Sequence, residues 1–120
     1  MNLLVLVLNK EEEHLERILE RFVEIGIRGA TIIDSTGMGQ TLACHNNLPI
    51  FGGLRRLFEN CRPGNKTVFS VIDNEERLQK AKTVVQEEIG DFTEPGVGIL
   101  FTIPVNNVLG LAQDINDKEG

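Results

Sequence analysis

Leu3 to Leu8 are six apolar residues in succession, the pattern of a strand covered on both faces. The next stretch changes period. Asn9 is placed to cap a helix, Glu11, Glu12 and Glu13 suit its positive N-terminal end, and Leu15, Ile18, Leu19, Phe22 and Ile25 recur at helical spacing up to Gly26. After a short turn, Arg28 to Asp34 holds the β-branched run Thr31-Ile32-Ile33 and predicts a second strand. Thr67 to Ile72 predicts a third strand, with Asp73 as the N-cap of a second helix whose apolar face is Leu78, Ala81, Val85 and Ile89 and whose end is Gly90. Glu94-Pro95-Gly96 is turn chemistry, and Val97 to Val105 predicts the last strand.

The order strand, helix, strand, long insert, strand, helix, strand is the split βαβ pattern. The fold class expected is α+β, a ferredoxin-like βαββαβ domain with an antiparallel sheet, two helices on one face, and a long loop between strands two and three. One domain over residues 1–111 accommodates all of it, followed by a polar, acidic tail at 112–120 that has little to bury and is expected to be mobile. Strands such as Leu3 to Leu8 and Ile99 to Ile103 are apolar at successive positions, so the sheet face away from the helices is greasy as well. Burial of that face between subunits is the simplest remedy, the alternative being a monomer with an open apolar face.

Composition adds little until the charge is divided along the chain. The formal net charge of -6 argues against nucleic acid as the main partner, because phosphate binding relies on clustered Lys and Arg. Arg55, Arg56, Arg62 and Lys66 nevertheless fall within the 35–66 insert with Glu59 as its single acid, which makes the insert a basic island on an acidic body. The opening apolar run is too short for a membrane span and has no basic leader, and Cys44 and Cys61 are two thiols in a chain without an evident export signal. A cytoplasmic location is expected, with membranes reached only through a partner.

Three stretches carry a resemblance to a known family: Glu24-Ile25-Gly26-Ile27-Arg28-Gly29-Ala30-Thr31, Gly37-Met38-Gly39-Gln40, and Gly96-Val97-Gly98-Ile99-Leu100-Phe101. In these, and in element order, the chain resembles the P-II nitrogen-regulatory family of trimeric signalling proteins. The resemblance implies a homotrimer with the sheets packed inside, a long loop that touches a target protein, and a small anionic ligand, an adenine nucleotide or 2-oxoglutarate, in clefts between subunits. It points to Thr31, Gly37, Gly39, Gln40, Gly96 and Gly98 as ligand-binding residues and to a role in nitrogen or carbon metabolism. The chain departs from the family at the phosphate contacts. Ile99 stands where the family has a lysine, Gly110 and Ala112 where it has arginines, and no basic residue occurs between Lys82 and Lys118. No cofactor is therefore assigned. The absence of tyrosine rules out the loop-tyrosine modification used by some members.

Within the insert, Phe51, Leu54, Arg55, Arg56 and Phe58 combine apolar anchors with cations, a composition suited to docking on a partner protein; a short helix folded back on the body is the other reading. The two glycine pairs are able to present backbone N–H groups to an anion or to serve as turns only. Cys44, His45 and Cys61 fit no standard zinc spacing, and no metal site is assigned. They would serve in a second reading, a divalent-metal-binding trimer resembling the CutA group. A third is a purely structural oligomer. With two histidines and no nucleophile–base–orienter set, enzymatic activity is not expected.

Overall fold

The computed structural model describes residues 1–9, 12–44, 64–94 and 96–111. Strand β1 is Asn2–Leu8, helix α1 Glu12–Glu24, strand β2 Thr31–Ser35, helix α2 Met38–Cys44, strand β3 Asn65–Ile72, helix α3 Glu75–Ile89 and strand β4 Gly98–Pro104. The strands form one sheet in the order β2-β3-β1-β4, and each neighbouring pair is antiparallel. This is the ferredoxin-like βαββαβ fold, with α2 added in the insert.

Alternation sorts the strand residues between two faces. Leu4, Leu6 and Leu8 of β1 and Val68 and Ile72 of β3 are buried on the helix side, where Leu15, Ile18 and Phe22 of α1 and Leu78, Ala81, Val84, Val85 and Ile89 of α3 meet them. Leu19 and Ile25 are partly buried against the same core, so the spacing read from the sequence is the packing face in both helices. The helices are also tied to each other. Arg17 Nε donates to Glu88 Oε2 at 3.0 Å and Arg21 NH1 to Glu88 Oε1 at 3.2 Å, with Glu87 a further partner of Arg21.

Two local expectations are corrected. The N-cap of α3 is Asn74, not Asp73: its side-chain oxygen accepts the Arg77 backbone N–H at 2.7 Å. Asp73 instead receives the Arg77 guanidinium at 2.9 Å, an i,i+4 pair that draws its carboxylate away from the helix end. Strand β2 begins at Thr31 rather than Arg28; in the lead into it the Gly29 carbonyl accepts the Ser70 hydroxyl of β3. At the other end, β3 starts at Asn65, so the connection from β2 runs over residues 36–64, and its first part is helical.

Candidate functional site at the base of the insert

Both glycine pairs lie at one end of the sheet. The register aligns Asp34 with Lys66, Lys66 with Leu8, and Leu8 with Gly98, which makes a single row across all four strands. Ser35 ends β2 just beyond that row, and Gly37 follows it with Asn65 beside it: a Cβ on Gly37 would stand 3.1 Å from the Asn65 amide nitrogen. Gly98 opens β4 in the same row.

Two side-chain links fix the β2–β3 half of this region. Lys66 forms an ion pair with Asp34 across the strands. Ser35 Oγ and Thr67 Oγ1 are 2.7 Å apart, a hydroxyl pair in which either atom is able to donate. Residue type alone gave no reason to single out Asp34, Ser35, Asn65 or Thr67. The available signal was their position flanking the insert, at the end of one strand and the start of the next.

The β4 half is built from backbone. Asn9 N–H donates to the Val97 carbonyl at 3.2 Å, which joins the end of β1 to the turn before β4. Gly96 has φ +79 with nothing within 4 Å of where a Cβ would stand, so turn conformation accounts for glycine there. Gly98 is different: a Cβ would lie 2.4 Å from the Val7 carbonyl oxygen, so close strand packing already demands glycine at that position.

The remaining predicted residues are placed as follows. Thr31 is exposed on the open sheet face, in the row Thr31–Phe69–Val5–Phe101, three residues along β2 from Asp34. Gly39 and Gln40 fall within α2, whose first turn is joined to the strand end by the Thr41 N–H to Gly37 carbonyl bond at 2.9 Å. Phe51, Leu54, Arg55, Arg56 and Phe58, together with His45 and Cys61, lie outside the described residues. Among the described residues no group of three His, Cys, Asp or Glu side chains is arranged to hold a metal ion.

The sheet order separates the two halves. β2 and β4 are opposite edges, three strand spacings or about 14 Å apart, so the glycine turns of one chain share an end of the sheet without facing each other. The open face between them is apolar. Ile33, Ile99, Phe101 and Ile103 are 47%, 55%, 42% and 45% exposed, and Leu3, Val5, Val7 and Phe69 are half-buried in the same rows.

Among solved structures, the chain matches Arabidopsis thaliana PII bound to citrate with a TM-score of 0.55 and 16% identity, over 87% of this chain and 76% of that one. The fold is P-II-like. At that identity the likeness concerns the arrangement of strands and helices. No family model matches the chain, and no curated protein matches it. The shared architecture fits the three stretches that carried the resemblance in sequence, since each lies at a joint of this fold: the turn into β2, the start of the insert and the turn into β4. Among the described residues no helix is long and apolar enough to cross a membrane.

Proposed function

We propose that this chain is a P-II-like regulatory protein, not an enzyme, in which a small anionic ligand bound between subunits biases the 35–66 loop and the loop reports that state to a partner protein. The observation that carries the reading is the split site. Glycine turns lie at one end of the sheet on opposite edges, and the insert springs from that same end. A cleft made from the β2 edge of one copy and the β4 edge of another would bring them together, and the same packing would cover the apolar open face. A subunit number of three rests on the resemblance.

The ligand class follows from what lines the two halves. Hydroxyls at Ser35 and Thr67, the Asn65 amide and backbone groups around Gly37 and Gly96 suit a small carboxylate or a nucleotide of low charge better than a triphosphate, because Ile99 stands where the family has a lysine. The P-II structure matched above holds citrate, a carboxylate, which supports the same class. A pathway in nitrogen or carbon metabolism and action in the cytoplasm complete the proposal.

The test is a native mass spectrum of the whole chain with titration calorimetry against ATP, ADP, AMP, 2-oxoglutarate and citrate. A trimeric mass with heat for at least one ligand is expected. A monomer giving no heat with any of them overturns the reading.

A further inference from the structure

At the root of the insert the open sheet face changes from apolar to polar. Strand alternation puts Ser35, Asn65 and Thr67 on that face, whereas Lys66 and its partner Asp34 lie on the helix side, in the row of buried Leu8. Ser35 and Asn65 are direct partners across β2 and β3. The Ser35 and Thr67 hydroxyls answer each other at 2.7 Å, which engages one of their two protons and leaves the other to donate elsewhere. The Asn65 carboxamide is placed differently. Among the described residues it takes part in no hydrogen bond, and its atoms are open to solvent in the single chain.

Gly37 gives the carboxamide its room. A Cβ there would stand 3.1 Å from the Asn65 amide nitrogen, and Gly37 is not among the glycines of positive φ, so space for the amide rather than turn conformation accounts for glycine at this position. The Gly37 carbonyl accepts the Thr41 N–H at 2.9 Å, so the amide rests against backbone tied into the first turn of α2. Once a second copy covers this face, the amide needs partners, because a polar group buried without them is costly. The side chains of β1 and β4 supply none: on the open face they are Leu3, Val5, Val7, Ile99, Phe101 and Ile103. What the root presents to a ligand is therefore two amide N–H groups and a spare hydroxyl proton, donors without charge. They suit a carboxylate, whereas a phosphate group of charge about −1.5 to −2 calls for cations.

We propose that Asn65 determines what the cleft between copies accepts: its carboxamide, seated over Gly37, donates to a carboxylate of the ligand, with the Ser35–Thr67 pair as the second donor. The assignment rests on the P-II-like reading above, and it adds a residue to which the resemblance does not point. Recognition by neutral donors lets a chain with Ile99 in place of a lysine hold a carboxylate.

The test is titration calorimetry of the whole chain and its variants with citrate, 2-oxoglutarate and AMP, with a native mass spectrum and a urea midpoint for each. Asn65→Ala is expected to raise the Kd for the carboxylate by about tenfold or more, with the parent's oligomeric mass and midpoint retained. Asn65→Asp keeps the shape but replaces the donors by a repelling charge, and should weaken binding further. Gly37→Ala, which displaces the amide, should weaken binding by the parent chain and add nothing in the Asn65→Ala background. Carboxylate binding that survives Asn65→Ala undiminished overturns the assignment and leaves the P-II-like reading in place, as does heat with AMP alone. Loss of binding together with the oligomeric mass in Asn65→Ala also overturns it, since Asn65 would then hold the copies and not the ligand. A parent chain that is monomeric and gives no heat overturns the P-II-like reading, and the assignment with it.

Discussion

At the start of β4 the backbone of Gly98 passes so close to Val7 that a Cβ would lie 2.4 Å from the Val7 carbonyl oxygen, and its φ is +148. Contact of that kind is not relieved by side-chain motion, because the obstructing atom belongs to the central strand. Gly98→Ala is expected to destabilise the fold by about 1–3 kcal/mol through backbone strain, read as a lowered urea midpoint. Gly96→Ala, where space is open and only φ is unfavourable, should cost less. Equal effects would show that close packing at Gly98 is unimportant.

The Ser35–Thr67 hydroxyl pair at 2.7 Å joins the end of β2 to β3 at the root of the insert. Ser35→Ala and Thr67→Val are each expected to cost about 1 kcal/mol, and the double variant less than the sum of the two. Strict additivity in a double-mutant cycle would remove the pair as a structural link.

Glu88 is held below its ordinary value of 4.5, first by the hydrogen bond from Arg17 and also by that from Arg21, against the opposing effect of desolvation. A carboxyl whose folded-state pKa is depressed stabilises the fold above its unfolded pKa, and that stability is lost as pH falls through the folded value. The α1–α3 tie should therefore weaken on acidification below about pH 4.5. Asp91, lowered by the Thr93 hydroxyl and then by its backbone N–H, acts in the same direction. Glu88→Gln is expected to flatten, without abolishing, the fall of the thermal midpoint between about pH 5 and 3. An unchanged slope would exclude Glu88 as a source of acid sensitivity.

Phe101 stands near the middle of the open face, in register with Val5, which pairs in turn with Phe69. If copies of the chain bury this face, a charge there is buried with them. Phe101→Glu is expected to convert the assembly to monomers in native mass spectra while the far-ultraviolet circular dichroism keeps its mixed α/β shape. A retained oligomeric mass would place the subunit interface elsewhere.

Much of the fold was legible in the chain because burial and periodicity act locally. Leu15, Ile18 and Phe22 mark α1, Leu78, Ala81, Val85 and Ile89 mark α3, and all are buried as their spacing requires. The boundaries were harder to read, since they depend on competition for single hydrogen bonds. Asp73 and Asn74 are both good caps by type, and only the position of the Arg77 guanidinium gives the cap to Asn74. Likewise Ser70, inside an apolar run, donates to the Gly29 carbonyl in the lead into β2, a link between residues 41 positions apart. Helix α2 carried no strong apolar period in its seven residues.

The candidate site divides along the same line. The order of elements, the apolar character of both sheet faces, the basic insert and the two glycine turns follow from the chain itself, because each is a property of neighbouring residues. That the turns occupy one end of the sheet on opposite edges, that Asp34, Ser35, Lys66 and Thr67 close the root of the insert, and that Gly98 answers to Val7 were decided by strand order and register. Register brings together residues tens of positions apart through backbone hydrogen bonds common to every strand, which leave no mark in residue type.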